Sequence, residues 1–263
     1  MKLLPEYILC FTYAENSDKI YTMCKTETIR INKYISSTGF CSRREADRLV
    51  EAGRVTVDGD VAVMGTIVCD GQCVRIDGRV IEPIHEYSVY ALNKPVGYIS
   101  SLSDKQGQGI SCFVPKGLRL YPVGRLDKDS EGLMLLTNDG EMMNNLLKAS
   151  EGHEKEYLVT VDKSINRDFL CKMEGGVPIT NKATGRKVTT AACKTKYITD
   201  DTFSITLIQG LNRQIRRMCG FFGYKVTKLV RVRIKNITLG NLKIGSVRKL
   251  TDEEVGILKD GLK

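Results

Sequence analysis

The sequence predicts an α+β protein in two domains, and three observations carry the prediction. Its 263 residues leave room for about two domains. Short alternating apolar runs closed by Asp-Gly, as at Val55–Gly59 and Val74–Gly78, are interleaved with helical apolar stripes such as Ala46, Leu49 and Val50. A polar stretch from Glu82-Pro83 to Ser88 reads as a linker between an organised segment at 29–86 and a longer one at 87–263. Residues 1–28 show no usable periodicity and read as a loosely packed extension.

Composition narrows the class. No apolar run approaches the ~18 residues of a membrane span, and Pro5 and Glu6 interrupt the start before a signal-peptide core forms. We expect no membrane association. Nine cysteines form no Cys-x-x-Cys pair, and Cys69 and Cys73 have no second pair or histidine at a zinc-ligand interval. His85 and His153 stand alone and read as ordinary residues. No metal site is expected, and reduced thiols point to the cytoplasm. The net charge of +9 is concentrated in one place. Gln209 to Lys249 holds eleven Lys or Arg and no acid, and the rest of the chain has 29 cations against 31 acids. A one-sided basic segment suits a polyanion. An anionic lipid surface also fits the charge, but no amphipathic anchor accompanies it.

In the first segment, Ile31, Tyr34 and Ile35 have helical spacing and Gly39 ends that turn. Ser42-Arg43-Arg44-Glu45 predicts a capping box ahead of a second helix that Gly53 closes. Asp58-Gly59 and Asp77-Gly78 predict hairpin turns. In the second segment Val89–Asn93 reads as a strand, broken by Lys94-Pro95-Val96-Gly97, with Lys94 exposed.

The centre of the chain is Gly124-Arg125-Leu126-Asp127-Lys128-Asp129-Ser130-Glu131-Gly132, followed by the apolar run Leu133–Leu136. Three acids between two glycines, ahead of a buried strand, can aim side chains into a cleft. They can equally form a solvated turn. Asp127, Asp129, Glu131 and Gly132 match the first positions of a calcium loop, but its closing Glu is replaced by Asn138. Beyond it, Asn138 or Asp139 caps a helix carrying Met142, Met143, Leu146 and Leu147. Lys155–Val161 alternates as a strand, in which Tyr157 reads by itself as a cross-strand aromatic. Asn212 is expected to cap a helix whose apolar face is Ile215, Met218 and Phe222. Val230–Lys235 alternates apolar and cationic residues, with Arg231 and Arg233 on the basic face of an RNA track or a merely exposed strand. Thr251 caps a final helix with acids in its first turn.

Several of these blocks resemble known families. Gly124-Arg125-Leu126-Asp127 with Ser130-Glu131-Gly132-Leu133 is similar to the loop of the pseudouridine synthases. Ile31–Ser36, Ser42–Asp47 and Gly53–Gly59 together resemble an S4 RNA-binding domain. The resemblance implies a small S4 domain followed by a catalytic domain with a mixed, mainly antiparallel sheet and flanking helices. It implies a cofactor-free isomerase that converts an RNA uridine to pseudouridine. Asp127 matches the family's nucleophile, Tyr157 its base-stacking tyrosine, and Arg216, after Gln214-Ile215, the cation paired with the aspartate. RNA contacts are expected from Lys33, Arg43, Arg44, Arg48 and Arg54 in the S4 segment, and from Arg125, Arg213, Arg217, Arg231 and Arg233. Gly210–Cys219 with Phe222-Gly223-Tyr224 resembles the branch acting on 23S rRNA, some members of which also modify the anticodon loop of a tyrosine tRNA. Small-subunit rRNA is the alternative target, and a monomer is expected. A non-catalytic S4 protein of ribosome assembly accounts for the basic segment but not for Asp127, Tyr157 and Arg216 together. A metal hydrolase lacks a ligand set.

Overall fold

The computed structural model describes residues 8–12, 20–24, 28–84, 86–148, 152–180, 185 and 187–260. His85 and most of the N-terminal extension lie outside the described residues. The chain divides into two compact units, 1–86 and 87–263.

In the first unit, β1 (Ile8–Thr12) and β2 (Ile20–Cys24) pair antiparallel. They are followed by β3 (Thr28–Arg30), α1 (Ile31–Ser37) and α2 (Arg43–Glu51), then β4 (Val55–Val57) and β5 (Asp60–Val61). β6 (Ile67–Cys69), β7 (Val74–Ile76) and β8 (Arg79–Val80) complete the unit. Ile31 and Ile35 of α1 and Ala46, Leu49 and Val50 of α2 bury one face each against Val55, Val68, Val74 and Ile76. The capping box at α2 is half made: Ser42 Oγ accepts from the Glu45 N–H at 3.3 Å, but the Glu45 carboxylate turns to Arg48 at 2.9 Å. Asp58 and Asp77 both take positive φ (52° and 49°) ahead of glycines that do the same. This is the conformation of a two-residue hairpin turn whose twist matches the strands.

The second unit is built on a nine-stranded sheet. Its elements are β9 (Val89–Lys94), β10 (Tyr121–Val123), β11 (Glu131–Thr137), α3 (Gly140–Leu147), β12 (Lys155–Val161) and α4 (Arg167–Glu174). The hairpin β13 (Pro178–Thr180) and β14 (Lys187–Thr189) stands apart from the sheet. There follow β15 (Lys194–Thr199), β16 (Thr202–Leu207), α5 (Gln214–Phe221), β17 (Val226–Ile234), β18 (Ile237–Thr238), β19 (Val247–Lys249) and α6 (Asp252–Lys259). The order is β15-β16-β12-β17-β11-β9-β19, with β10 on β11 and β18 on β17. β11 and β17 run parallel and the other pairs antiparallel, which is the mixed, mainly antiparallel sheet expected.

Leu133–Leu136 of β11 are apolar without alternation because both faces of the strand are covered. Leu133 and Leu135 pack with Met142 and Leu146 of α3 and Leu258 of α6, while Met134 and Leu136 pack with Leu92, Ile110, Leu120 and Leu126. Asp139 caps α3, accepting from the N–H groups of Glu141 and Met142. Thr251 and Glu254 form a full capping box on α6. A Cβ on Gly132 would lie 2.4 Å from the Arg231 carbonyl oxygen, so only glycine lets β11 and β17 approach there.

Candidate active site

The loop from Arg125 to Ser130 leaves β10 through Gly124 (φ +80°) and enters β11. Its main chain is held residue by residue, unlike a solvated turn. Ser100 Oγ donates to the Leu126 carbonyl at 2.7 Å and accepts from the Leu126 N–H at 2.9 Å. The Asp127 carbonyl accepts from the Ser130 N–H at 3.1 Å and from Lys94 Nζ at 3.2 Å. The Lys128 carbonyl accepts from the Gly97 N–H at 2.8 Å, and the Asp129 carbonyl from Arg216 Nη2 at 2.8 Å. Lys94 Nζ also donates to the Ser130 and Pro95 carbonyls, at 2.8 and 2.9 Å.

Lys94 is therefore not exposed, as its sequence context suggested, but fully buried at the end of β9. Burial pulls its ammonium down to about 8, and the nearby carboxylates of Asp127 and Asp129 resist that shift.

A cleft of about 300 Å³ opens beside the loop, lined by Arg125, Asp127, Tyr157, Leu211 and Arg213 among others. The Asp127 side chain is 28% exposed, so it is shielded yet reachable. Tyr157 projects from β12 and packs against the hydrophobic clusters on either side of the cleft. A shielded carboxylate and an aromatic ring thus line one cleft, groups whose chemistry suits nucleophilic attack and base stacking.

The arginines arrange themselves differently from expectation. Arg213, not Asn212, stands at the N-cap of α5, in the left-handed region with φ 47°. Gln214 Oε1 accepts from the Leu211 N–H in place of a capping side chain at Asn212. This backbone aims Arg213 across the loop, where its two Nη atoms grip the Asp129 carboxylate at 2.9 Å each and Nη1 lies 3.6 Å from Asp127 Oδ2. Arg216, one turn further on, reaches the Asp129 carbonyl, and its Nε lies 3.4 Å from Asp129 Oδ2. It also donates to the Val226 carbonyl. Among the described residues the guanidinium within 4 Å of Asp127 is thus Arg213, and Arg216 holds Asp129. Hydrogen bonds from Arg213, with Arg216 close by, keep the Asp129 carboxyl below the usual carboxylate range.

Arg125 is exposed at the cleft, as expected of an RNA contact. Three other expected contacts are not free. Arg217 donates to the Thr180 and Asn212 carbonyls, tying α5 to the strand and loop beside it. Arg231 is only 3% exposed, with Nε on the Leu133 carbonyl at 2.6 Å. Arg233 is paired with Glu154 and Glu156, both at 3.0 Å. A register shift between Glu156 and Tyr157 puts Arg231 opposite Tyr157, so the strand's alternation does not yield an open cationic face. In the first unit, Lys33, Arg43 and Arg44 are exposed without an ion pair among the described residues. Arg48 pairs with Glu45 and Arg54 with Asp77.

Sequence reasoning passed over Ser100 and underrated Lys94. A Lys-Pro dipeptide ending a buried strand was the available signal for Lys94. Ser100 carried none, because its partner lies 26 residues away.

The sequence matches the RNA pseudouridylate synthase family over residues 88–220 and the S4 domain over residues 29–72. These matches define the class, an RNA-modifying enzyme with an S4 unit ahead of a synthase unit. The chain belongs to the RNA pseudouridylate synthase family and is an RNA pseudouridine synthase, an isomerase. It is 49% identical to the dual-specificity RNA pseudouridine synthase RluF of Salmonella typhi, over 89% of this chain and 79% of that protein. Identity to RluF of Escherichia coli K12 is 48% over the same shares. An RNA pseudouridine synthase of Mycobacterium bovis is 39% identical over 88% of this chain and 92% of its own. A crystal structure of a pseudouridylate synthase matches with a TM-score of 0.65 at 27% identity, covering 88% of this chain and 99% of that one.

Proposed function

We propose that this chain isomerises a uridine of 23S rRNA, and a uridine in the anticodon loop of a tyrosine tRNA, with Asp127 as the nucleophile. The similarity to relatives named dual-specificity supports two RNA targets. The observation that carries the assignment of Asp127 is its place in one cleft with Tyr157, on a loop whose main chain is fixed from Leu126 to Ser130. Isomerisation breaks the bond from the uracil nitrogen to the ribose, turns the base and rejoins it through carbon. A carboxylate nucleophile covers the bond exchange without redox chemistry or a group donor.

The target uridine must leave its stack, at a cost of a few kcal/mol. Tyr157 offers it a replacement stacking face. Arg213 stands beside the Asp127 carboxylate, and Arg216 fixes the loop through Asp129. Residues 29–86 act as the RNA-gripping module through Lys33, Arg43 and Arg44, and Arg125 contacts the RNA backbone at the cleft mouth. Among the described residues no helix is long and apolar enough to cross a membrane; the cytoplasmic location proposed here rests on the expectation of reduced thiols. Incubating the purified protein with 23S rRNA, 16S rRNA and tyrosine tRNA transcripts tests this reading. One new pseudouridine in the 23S transcript is expected. Modification of a 16S transcript alone would overturn the target.

A further inference from the structure

We propose that Ser100 is a positioning residue that sets the aim of Asp127 by gripping the peptide unit just before it. The inference rests on Asp127 being the nucleophile. A hydroxyl has one donor and two acceptor sites, and here a single oxygen satisfies both main-chain groups of Leu126, at 2.7 and 2.9 Å. Leu126 is 7% exposed, its side chain packed with Ile110, Leu120 and Met134. Leu126 is thus fixed through both main chain and side chain, and the Cα of Asp127 follows directly from it.

Ser100 is itself held by a rigid segment. The Ile99 N–H donates to the Gln108 carbonyl at 2.9 Å, and the Ser101 carbonyl accepts from the Ile110 N–H at 2.9 Å. The Tyr98 ring stands edge-on to Phe113 with centroids 4.8 Å apart. A Cβ on Gly109 would sit 2.5 Å from the Ser101 carbonyl oxygen, so the two sides of this segment close only over glycine.

The division of labour follows from position. Lys94, Gly97 and Arg216 hold carbonyls from Asp127 to Asp129 and beyond, on the downstream side of the nucleophile. Ser100 holds the upstream side. Removing its hydroxyl leaves the loop tethered and the fold intact but lets the peptide before Asp127 rotate. Misplacement of a reacting group by about 1 Å can cost on the order of 100-fold in rate.

The test uses the full-length chain and a 23S rRNA transcript, measuring single-turnover rate at saturating RNA, RNA affinity by filter binding, and Tm. Ser100→Ala is expected to slow turnover at least tenfold with Kd within twofold of wild type. Ser100→Thr, which keeps the hydroxyl, recovers most of the rate. Ser100→Cys, which keeps the volume with a weaker hydrogen-bonding group, falls between and carries the test if the alanine variant does not fold. A wild-type rate in Ser100→Ala or Ser100→Cys, beside an inactive Asp127→Asn, overturns the positioning role alone. A rate loss that merely follows weaker RNA binding overturns it as well. If Asp127→Asn turns over like wild type, the nucleophile assignment fails and takes this inference with it.

Discussion

Replacing Lys94 with methionine tests how far the catalytic loop depends on one buried cation. The ammonium sits in a fully buried position and pays for it, its proton affinity falling from the ordinary 10.5 to about 8. At roughly 1.36 kcal/mol per unit that is a penalty of about 3 kcal/mol. Against it stand three hydrogen bonds from a charged donor, to the carbonyls of Pro95, Asp127 and Ser130, worth about 1.5–3 kcal/mol each. Lys94→Met removes the penalty and the bonds together, for a net destabilisation of about 1.5–6 kcal/mol. In a protein of this size that lowers Tm by about 3–20 °C.

The sign of the pH dependence separates this account from a simple packing loss. The folded group titrates near 8 and the unfolded one at 10.5, so between those values the unfolded chain binds more protons. Wild-type stability therefore gains on Lys94→Met by up to about 3 kcal/mol as pH rises from about 8 to 10.5, and below 8 the difference is flat. Urea unfolding of both proteins at pH 7, 8, 9 and 10 measures it. Equal stability at pH 7, or a gap that narrows as pH rises, refutes the reasoning.

Two further outcomes are expected. Gly132→Ala drives a methyl group against the Arg231 main chain at a φ of +108°, and should cost more than about 3 kcal/mol, read as loss of soluble folded protein or a fall in urea midpoint; a neutral substitution contradicts the close approach of β11 and β17. Glu254 completes the α6 capping box and takes two hydrogen bonds from Arg248, which hold its carboxyl down from 4.5 to about 2. Its contribution is present above pH 4.5 and lost as pH falls toward 2, on the order of 2 kcal/mol after allowing for its 28% exposure. Glu254→Gln should flatten that part of the acid-unfolding curve, and parallel curves for the two proteins contradict it.

Local features were legible in the sequence because local chemistry produces them. The Asp-Gly turns, the caps at Asp139 and Thr251, and β11 as a strand apolar on both faces each follow from residues within a few positions of one another. The motif blocks also singled out Asp127 and Tyr157, which line one cleft. Pairings across long separations were not legible. Arg213 and Asp129 lie 84 residues apart, and the left-handed backbone that brings them together is unusual for an arginine. The alternation of Val230–Lys235 announced a strand correctly. It could not announce the register shift opposite Glu156 and Tyr157, nor the burial of Arg231 and the pairing of Arg233 with two glutamates. Lys94 was misplaced for a related reason: a lysine is normally solvated, and only the carbonyls of a distant loop make its burial tolerable.

Asp127, on a loop that shares its cleft with Tyr157, is the proposed maker of pseudouridine in ribosomal RNA. Pseudouridine mapping across rRNA and tRNA tests this role most directly, in cells lacking the protein and complemented with wild type or Asp127→Asn. The account predicts a 23S rRNA site that is missing in the deletion, restored by wild type and still missing with Asp127→Asn. Restoration of every site by Asp127→Asn would contradict it.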